Sequence, residues 1–555
     1  MTLPYTLLHD GPLDTLRESL LRHRGLQSES EQAIFLQPDY TTLHAPELLH
    51  TMDVAVARIK AAIAAEEPIV IFSDYDCDGI PGAVVLHDFF VAATYPHFSN
   101  IIPHRHYEGF GLSVSAVETI AKAGAKLIIT IDCGTNDDAA IARAAELGVD
   151  VIVTDHHEPG ETLPAAVAIV NPKLGEYPFP HLCGAGVVFK LVQALINTGD
   201  FAILAGQEKW WLDMVGVATI ADMVPLIGEN RIFAHYGLTV LRKSRRPGLQ
   251  QLLKAARVPQ QYLTEEDIGF TIGPRVNAAS RMDAPEHAFH LLTTKDEGEA
   301  GGYVERLEHL NNERKGAVAT MTREVHGRLK EMTDMPAVLV MGNPLWRPAL
   351  VGLTANKLAE EYKRPVFLWG RDGNDVIKGS CRSGGGVSVV RLMEAVPDIF
   401  HEYGGHHASG GFAVHDAHIH TFGEALNEAF VRLGSEAVVE TPLQVDAVLT
   451  LDEVMGPVRQ ILKELAPFGA GNPKPIFAFT GVTPDAVALF GKTKEHLKLT
   501  FPTKRGSLEA ISFFATPEDF TTAPKDGQLC TLVAHIEESF FMGRRSTRLR
   551  IIDIL

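Results

Sequence analysis

Short apolar runs in the first third of this chain constrain its fold more than any other feature. PIVIFS, KLIITID, VDVIVTD and AVAIVNP lie between residues 68 and 172. Each is rich in Val and Ile and continuously apolar, as expected of a strand buried on both faces. Between them stand GIPGAVVLHDFFVAA, VSAVETIAKAGA and DDAAIARAAELG, whose apolar residues recur at helical spacing. SNIIPH adds one more strand-like piece, and TMDVAVARIKAAIAAEE leads in as an amphipathic helix. Alternation of this kind predicts a parallel α/β sheet with crossover helices.

The chain has 555 residues, too many for one hydrophobic core. Residues 1–48 read as a small N-terminal lobe with a Leu-rich helix. The α/β unit with its mostly helical continuation occupies 49–295. Residues 296–333 are highly charged and mostly free of breakers, which predicts a long helix connecting two lobes. At PAVLVMG a second α/β pattern begins and defines a lobe over 334–438. Residues 439–555 hold short alternating segments (DAVLTLDE, PIFAFTGV, HLKLTFPT, LEAISFFA, TLVAHIEES, TRLRIIDI). These predict a small β-barrel of OB type. The expected fold class is α/β, with two α/β lobes joined by a long helix and a C-terminal barrel.

Acidic clusters follow the apolar runs. SDYDCDG places Asp74, Asp76 and Asp78 directly after PIVIFS, IDCGTND places Asp132 after KLIITI, and TDHHEPG places Asp155, His156 and His157 after VDVIVT. An Asp after a strand is often only a helix cap or turn residue. In open parallel sheets, however, ligands bind at the carboxyl ends of strands. All three clusters are expected on that one rim. Carboxylates so grouped repel one another unless cations are present. Hard oxygen donors with an imidazole suit Mn²⁺ or Mg²⁺. Two such ions can clamp a phosphate, activate water and stabilise a leaving oxygen.

The set DYDCDG, IDCG, TDHH and ATIADMVPL (with Asp222) resembles the four-motif signature of the DHH phosphoesterase superfamily. PHRHYEGFGL, GPRVNAASRM, KGSCRS, YGGHHASGGF and APFGAGNPKPIF narrow the resemblance to the superfamily's single-strand exonuclease branch. The resemblance covers nearly the whole chain from Pro68 onward. It implies two divalent metal ions, Mn²⁺ or Mg²⁺, held by Asp76, Asp78, Asp132, His156 and Asp222, with Asp74 beside them and Asp132 as the bridge. It implies that His157 contacts the scissile phosphate and that Asp155 orients the histidines. Arg105, Ser380 and Arg382 would hold a terminal 5′-phosphate. Arg275, Asn277, Arg281 and His406 would line the cleft and contact the nucleic-acid backbone. The activity implied is 5′-to-3′ hydrolysis of single-stranded DNA to mononucleotides in DNA repair and recombination. Implied partners are single-stranded DNA, a single-strand binding protein and a helicase, and the expected state is a monomer. In KGSCRSGGGVS three glycines stand where relatives often carry bulkier residues, which bears on the fit around the 5′ end.

The barrel segment supports this independently. Lys492, Lys494, His496 and Lys498 cluster on one hairpin, and Arg544, Arg545, Arg548 and Arg550 on another. OB folds bind single strands by a basic groove with aromatic stacking. Phe490, Phe513, Phe514, Phe540 and Phe541 are candidate stackers, although barrel core is the expected fate of most. The net charge of −19 counts against a nucleic-acid binder. A carboxylate-rich metal site and a few placed arginines offset it. The five cysteines are scattered with no CxxC pair, so neither a disulfide framework nor a thiolate zinc site is expected. The apolar runs are too short to span a bilayer and no signal peptide is read at MTLPYTLLHDGPL, so a cytoplasmic protein is expected. Two other functions fit parts of the pattern. One is a phosphodiesterase for short oligonucleotides or cyclic dinucleotides, which has no need of a barrel. The other is a catalytically inactive DNA-binding scaffold, which has no need of a full ligand set.

Overall fold

The structure is a computed structural model, and it describes all residues except 1–4, 385, 435–442, 492, 505, 542 and 543. Its first sheet has five parallel strands in the order Phe98–Ile101, Ile69–Ser73, Leu127–Ile131, Asp150–Thr154, Ala168–Val170. Ile69–Ser73 and Leu127–Ile131 are buried along their whole length, because helices cover both faces. Gly79–Ala92 packs on one face, and Val114–Lys122 and Asp138–Glu146 on the other. The expected parallel α/β sheet is therefore present.

The ladder continues one rung past each strand. Asp74 N–H donates to the Ile131 carbonyl at 3.0 Å, Asp132 N–H to Thr154 at 2.9 Å, and Asp155 N–H to Val170 at 3.1 Å. Three aspartates thus sit at the carboxyl ends of three adjacent strands. Neighbouring strands lie about 4.8 Å apart, which sets the spacing of the three backbones.

The connector is a single helix, Glu297–Lys330, of 34 residues. At 1.5 Å per residue it is about 50 Å long. Val304, Leu307 and Leu310 on its first half join the core of the first lobe. Met321, Val325 and Leu329 on its second half join the core of the second lobe. The second lobe has a five-stranded sheet ordered Phe400–Gly405, Ser409–Val414, Ile377–Arg382, Val366–Arg371, Leu339–Gly342. Only the last pair is parallel, and helix Pro348–Tyr362 makes its crossover.

In the C-terminal unit, Ala486–Phe490, His496–Thr503 and Gly506–Ser512 form a meander. Gly506–Ser512 pairs in parallel with Arg544–Ile554, which pairs with Cys530–Phe541, which pairs with Phe477–Val482. Phe477–Val482 and Ala486–Phe490 stand at the two ends of this run of pairings and are joined through residues 483–485. That is the OB order. Phe477, Phe479 and Phe501 fill the barrel. The expected aromatics behave otherwise. Phe513, Phe514 and Phe540 are 39%, 75% and 38% exposed, so they are not core. They stand on the outer surface, where the inward positions are already filled.

The N-terminal segment, read as a lobe of its own, shares the barrel's core instead. Tyr5–His9 pairs in parallel with Leu443–Val448 and extends the barrel sheet. Leu16, Leu20, Leu21 and Phe35 bury against Leu449, Leu462 and Phe477. Their apolar face has its partner at the far end of the chain, which local periodicity cannot reveal. No helix among the described residues is long and apolar enough to cross a membrane. If the core is shared, Leu20→Ala should lower hydrogen-exchange protection in the strand Phe477–Val482 by the equivalent of about 2–5 kcal/mol. Unchanged protection there would mean that the two parts fold separately.

Candidate metal centre

The acidic loop after Ile69–Ser73 is braced by its own backbone. Asp76 Oδ1 accepts the N–H groups of Asp78 (2.8 Å) and Gly79 (3.2 Å), which fixes the turn into helix Gly79–Ala92. Gly79 is required there, because a Cβ would lie 2.4 Å from the Asp74 carbonyl oxygen. Asp78 turns toward a second helix, Gly184–Asn197, whose first N–H groups donate to it. Gly184 N–H meets Oδ2 at 2.6 Å and Ala185 N–H meets Oδ1 at 2.7 Å. A helix N-terminus favours negative charge, so this buried carboxylate has a dipole to face. Asp222 follows helix Leu212–Ala221 as its C-cap.

Three overlapping donor sets result: Asp74, Asp76 and Asp132; Asp78, His156 and Asp222; Asp132, His156 and His157. Within each, the ligand atoms lie within 4.8 Å of one another. His156 Nε2 is central, 3.1 Å from Asp132 Oδ1, 3.6 Å from Asp78 Oδ2 and 3.8 Å from Asp222 Oδ2. Asp74 Oδ1 and Asp132 Oδ1 are buried without a hydrogen-bond partner. A buried carboxylate oxygen left this way is costly, and a divalent cation would satisfy it. Asp132 also adopts φ 60°, a left-handed conformation that only a few non-glycine residues occupy. These residues are positioned to bind hard divalent cations.

The electrostatics agree. Burial, then the neighbouring charge of Asp76, raises Asp78 to about 7. Burial and Asp78 raise Asp222 to about 8. Burial and the surrounding carboxylates push Asp74 and Asp132 well above the usual range. Without cations, five carboxylates at this density cannot all ionise near neutrality. The two histidines separate. Burial and the charge of His157 lower His156 to about 4, which leaves it neutral and able to ligate. Burial opposes charge on His157 too, and is the largest single influence, but its 2.7 Å hydrogen bond to Asp155 Oδ1 together with the charges of Asp155, Asp78 and Asp222 outweighs it and raises the group to about 9. Asp155 in turn accepts N–H groups from His156, His157 and Thr135. Its carboxylate orients His157 and fixes the backbone of both histidines.

The remaining expected residues divide. A cavity of about 470 Å³ opens between the lobes. Tyr75, Arg105 and Phe110 line it on one side, and Lys378, Gly379, Tyr403 and Gly411 on the other. The Arg105 guanidinium stacks 4.7 Å from the Tyr75 ring centre. Ser380 and Arg382 share a strand face with Lys378. A Cβ at Gly352 would lie 3.3 Å from Ser380 Oγ and 3.2 Å from Arg382 Nη2, so both reach the helix Pro348–Tyr362. Arg281 is half-buried beside Arg105 and donates to the Ala349 carbonyl of the second lobe. His406 stands in the turn of the hairpin Phe400–Gly405/Ser409–Val414, near Glu158, which follows the two histidines.

Arg275 and Asn277 differ from expectation. Arg275 is buried, held by Glu308 of the long helix and by the Thr271 carbonyl at 2.9 Å. Asn277 Oδ1 accepts the Cys77 N–H at 3.0 Å. Both brace the walls of the site from within. Lys492 and the side chains of Phe541, Arg544 and Arg545 lie outside the described residues. On the barrel, His496, Phe490, Phe513 and Phe514 cluster edge to face, with Arg550 4.3 Å over the Phe513 ring. Arg548 and Arg550 also pair with Glu537. Gly184, Tyr75, Phe110 and Lys378 were not singled out from the sequence. The small-residue run CGAG, residues 183–186, is a sequence signal for the first.

Residues 68–219 match the model for the DHH family, N-terminal domain. Residues 336–432 match the DHHA1 domain and 445–553 the RecJ OB domain. The fold and the site therefore define a DHH phosphoesterase with its associated second lobe and an OB module. The chain is 34% identical over 550 residues to the single-stranded-DNA-specific exonuclease RecJ of Bacillus subtilis, covering 98% of this chain and 68% of that protein. It is 32% identical to RecJ of Salmonella typhimurium, covering 98% and 96%. The structure of RecJ from Thermus thermophilus in complex with Mn²⁺ superposes with a TM-score of 0.80 at 27% identity, covering 99% of this chain and 79% of that one. The same organism's RecJ with Mg²⁺ gives 0.72 at 26% identity, covering 99% and 78%. The chain belongs to the RecJ family.

A Cβ on Gly184 would fall 2.7 Å from Asp132 Cβ. Gly184→Ala should therefore weaken Mn²⁺ binding measured by calorimetry while leaving the circular dichroism unchanged. In metal-free protein, NMR should find His157 titrating near 9, and Asp155→Asn should bring it down toward the ordinary imidazole range. The sign is that of a raised folded-state pKa. The pair stabilises fully below the ordinary imidazole range, and its contribution fades as pH rises through about 9.

Proposed function

We propose that this protein is a divalent-metal-dependent exonuclease that hydrolyses single-stranded DNA from the 5′ end to mononucleotides. One observation carries the reading. Five carboxylates and a neutral imidazole converge on the rim of the first sheet, beside a cavity whose walls bear Arg105 and Lys378. In this reading Asp76, Asp78, Asp132, His156 and Asp222, with Asp74 beside them, would hold two cations, Mn²⁺ or Mg²⁺. Bound cations supply charge neutralisation at the phosphate and lower the pKa of water.

The chain's own groups do the rest. Asp155 holds Nδ1–H of His157 and favours its charged form. Its Nε2–H is then free to donate to a phosphate oxygen. Arg105, Ser380 and Arg382 hold the terminal 5′-phosphate across the cleft, a role suited to planar guanidinium forks. Arg281 and His406 reach the cleft from the two lobes and contact the backbone. Water adds its oxygen to phosphorus, the bond to the 3′-oxygen of the first nucleotide breaks, and that oxygen takes up a proton. The remaining strand then carries a new 5′-phosphate, which can refill the same arginine site. The Phe490–Phe513–Phe514 platform with Arg550 guides the strand by stacking. The relatives' activity supports a role in DNA repair and recombination, in the cytoplasm. A monomeric enzyme would work there beside a single-strand binding protein and a helicase.

One oligonucleotide, labelled at the 5′ end in one sample and at the 3′ end in another, tests this with Mn²⁺ or Mg²⁺. The 5′ label should appear at once as mononucleotide, the 3′-labelled strand should shorten stepwise, and duplex should resist. Asp132→Ala should lower the rate by at least about 100-fold, since it removes a shared ligand. Hydrolysis confined to di- to pentanucleotides, or binding without cleavage, would defeat the proposal.

A further inference from the structure

The loop that follows Asp222 is not held by its own lobe alone. Met223 turns it with φ 62°, and Pro225, Leu226 and Ile227 then cross to helix Gly228–Leu241. On the inner side Asn230, fully buried, donates to the Pro225 carbonyl at 3.1 Å. On the outer side the contact comes from the C-terminal unit. Leu226 N–H donates to the Ala470 carbonyl at 2.7 Å. Leu226 is 1% exposed and is seated against Gly469, where a Cβ would fall 2.8 Å from its Cδ1. Gly471, at φ +72°, lies so close that a Cβ would meet Pro225 Cβ at 3.1 Å and Ile227 Cγ2 at 3.4 Å.

This turn is itself rigid. Gly469 and Asn472 exchange backbone hydrogen bonds of 2.9 and 3.1 Å. The buried Asn472 side chain donates to the Leu465 and Pro467 carbonyls and accepts from Arg24 Nε at 2.6 Å. The turn is therefore fixed to helix Pro457–Leu465 and to the N-terminal segment before it touches the Asp222 loop.

We propose that the turn Gly469–Asn472 is a positioning element for Asp222, so that seating of the C-terminal unit sets the geometry of the metal centre. The inference rests on the reading of that centre given above. Asp222 itself has few local restraints: it caps a helix, and its Oδ2 approaches His156 only at 3.8 Å. The loop that fixes its backbone takes a buried hydrogen bond and an apolar seat from the other unit. Partners that orient a ligand directly are worth about 10–100-fold in metal affinity, which sets the scale for a contact that fixes the ligand's backbone.

The test is calorimetric titration of the full chain with Mn²⁺, with folding checked by circular dichroism. Gly471→Ala pushes on Pro225, and Leu226→Ala empties the seat; Leu226→Val replaces the latter if it does not fold. Lys474→Ala removes the ion pair with Glu266, a contact between the same two units away from the loop. Both loop variants should weaken Mn²⁺ binding about 10-fold or more, with Lys474→Ala within about 2-fold of the natural chain. Folded loop variants that bind Mn²⁺ normally overturn the inference, as does an equal loss in Lys474→Ala. If Asp222→Ala binds Mn²⁺ as the natural chain does, the reading of the centre fails and the inference with it. Normal loop variants beside a defective Asp222→Ala overturn the inference alone.

Discussion

Mutual repulsion among carboxylates organises this molecule. Asp74, Asp76, Asp78, Asp132 and Asp222 are brought so close that burial and shared charge raise four of them. A fold does not concentrate charge this way for stability, since each ion loses hydration and gains repulsion. The surrounding structure makes the arrangement tolerable. The N-terminus of helix Gly184–Asn197 faces Asp78, Thr135 and two histidine amides face Asp155, and the loop amides face Asp76. What these donors leave unmet, at Asp74 Oδ1 and Asp132 Oδ1, is what a cation would meet.

The lobes serve the same end at larger scale. A centre that attracts cations still needs an anionic polymer brought to it, and a chain of net charge −19 does not attract one globally. The structure answers with local cations. Arg105 and Lys378 face one cavity, and Arg281 bridges to Ala349. The helix Glu297–Lys330 sets their separation, because its two halves belong to the cores of different lobes. A change in its packing would move one wall of the cleft against the other.

The first sheet and most of the metal centre were legible in the sequence, because continuous apolar runs ending in Asp have few other solutions. The barrel was legible for a different reason: its strands alternate and its turns are marked. Orientation was not legible. Arg275 lies in a motif rich in chemistry, yet only the position of Glu308 on the long helix decides that it points inward. Gly184 supplies the amide facing Asp78 from more than a hundred residues away, and a backbone donor leaves no trace in side-chain identity. The exposed Phe513 continues the outward side of a strand whose inward positions Leu508 and Ala510 fill, a register that one residue's slip would reverse, and Phe514 lies past the strand's end at φ 54°.

The pairing of Tyr5–His9 with Leu443–Val448 sets the order in which this protein can be completed. Arg17 meets Glu464, 447 positions later in the chain. At typical synthesis rates of about 5–20 residues per second, roughly 20–90 s separate the two ends as they leave the ribosome. Through that interval Leu16, Leu20, Leu21 and Phe35 have no core to enter. The N-terminal segment can therefore bury this apolar face only once the strands it packs on have been synthesised. By then the metal-centre lobe has already been made.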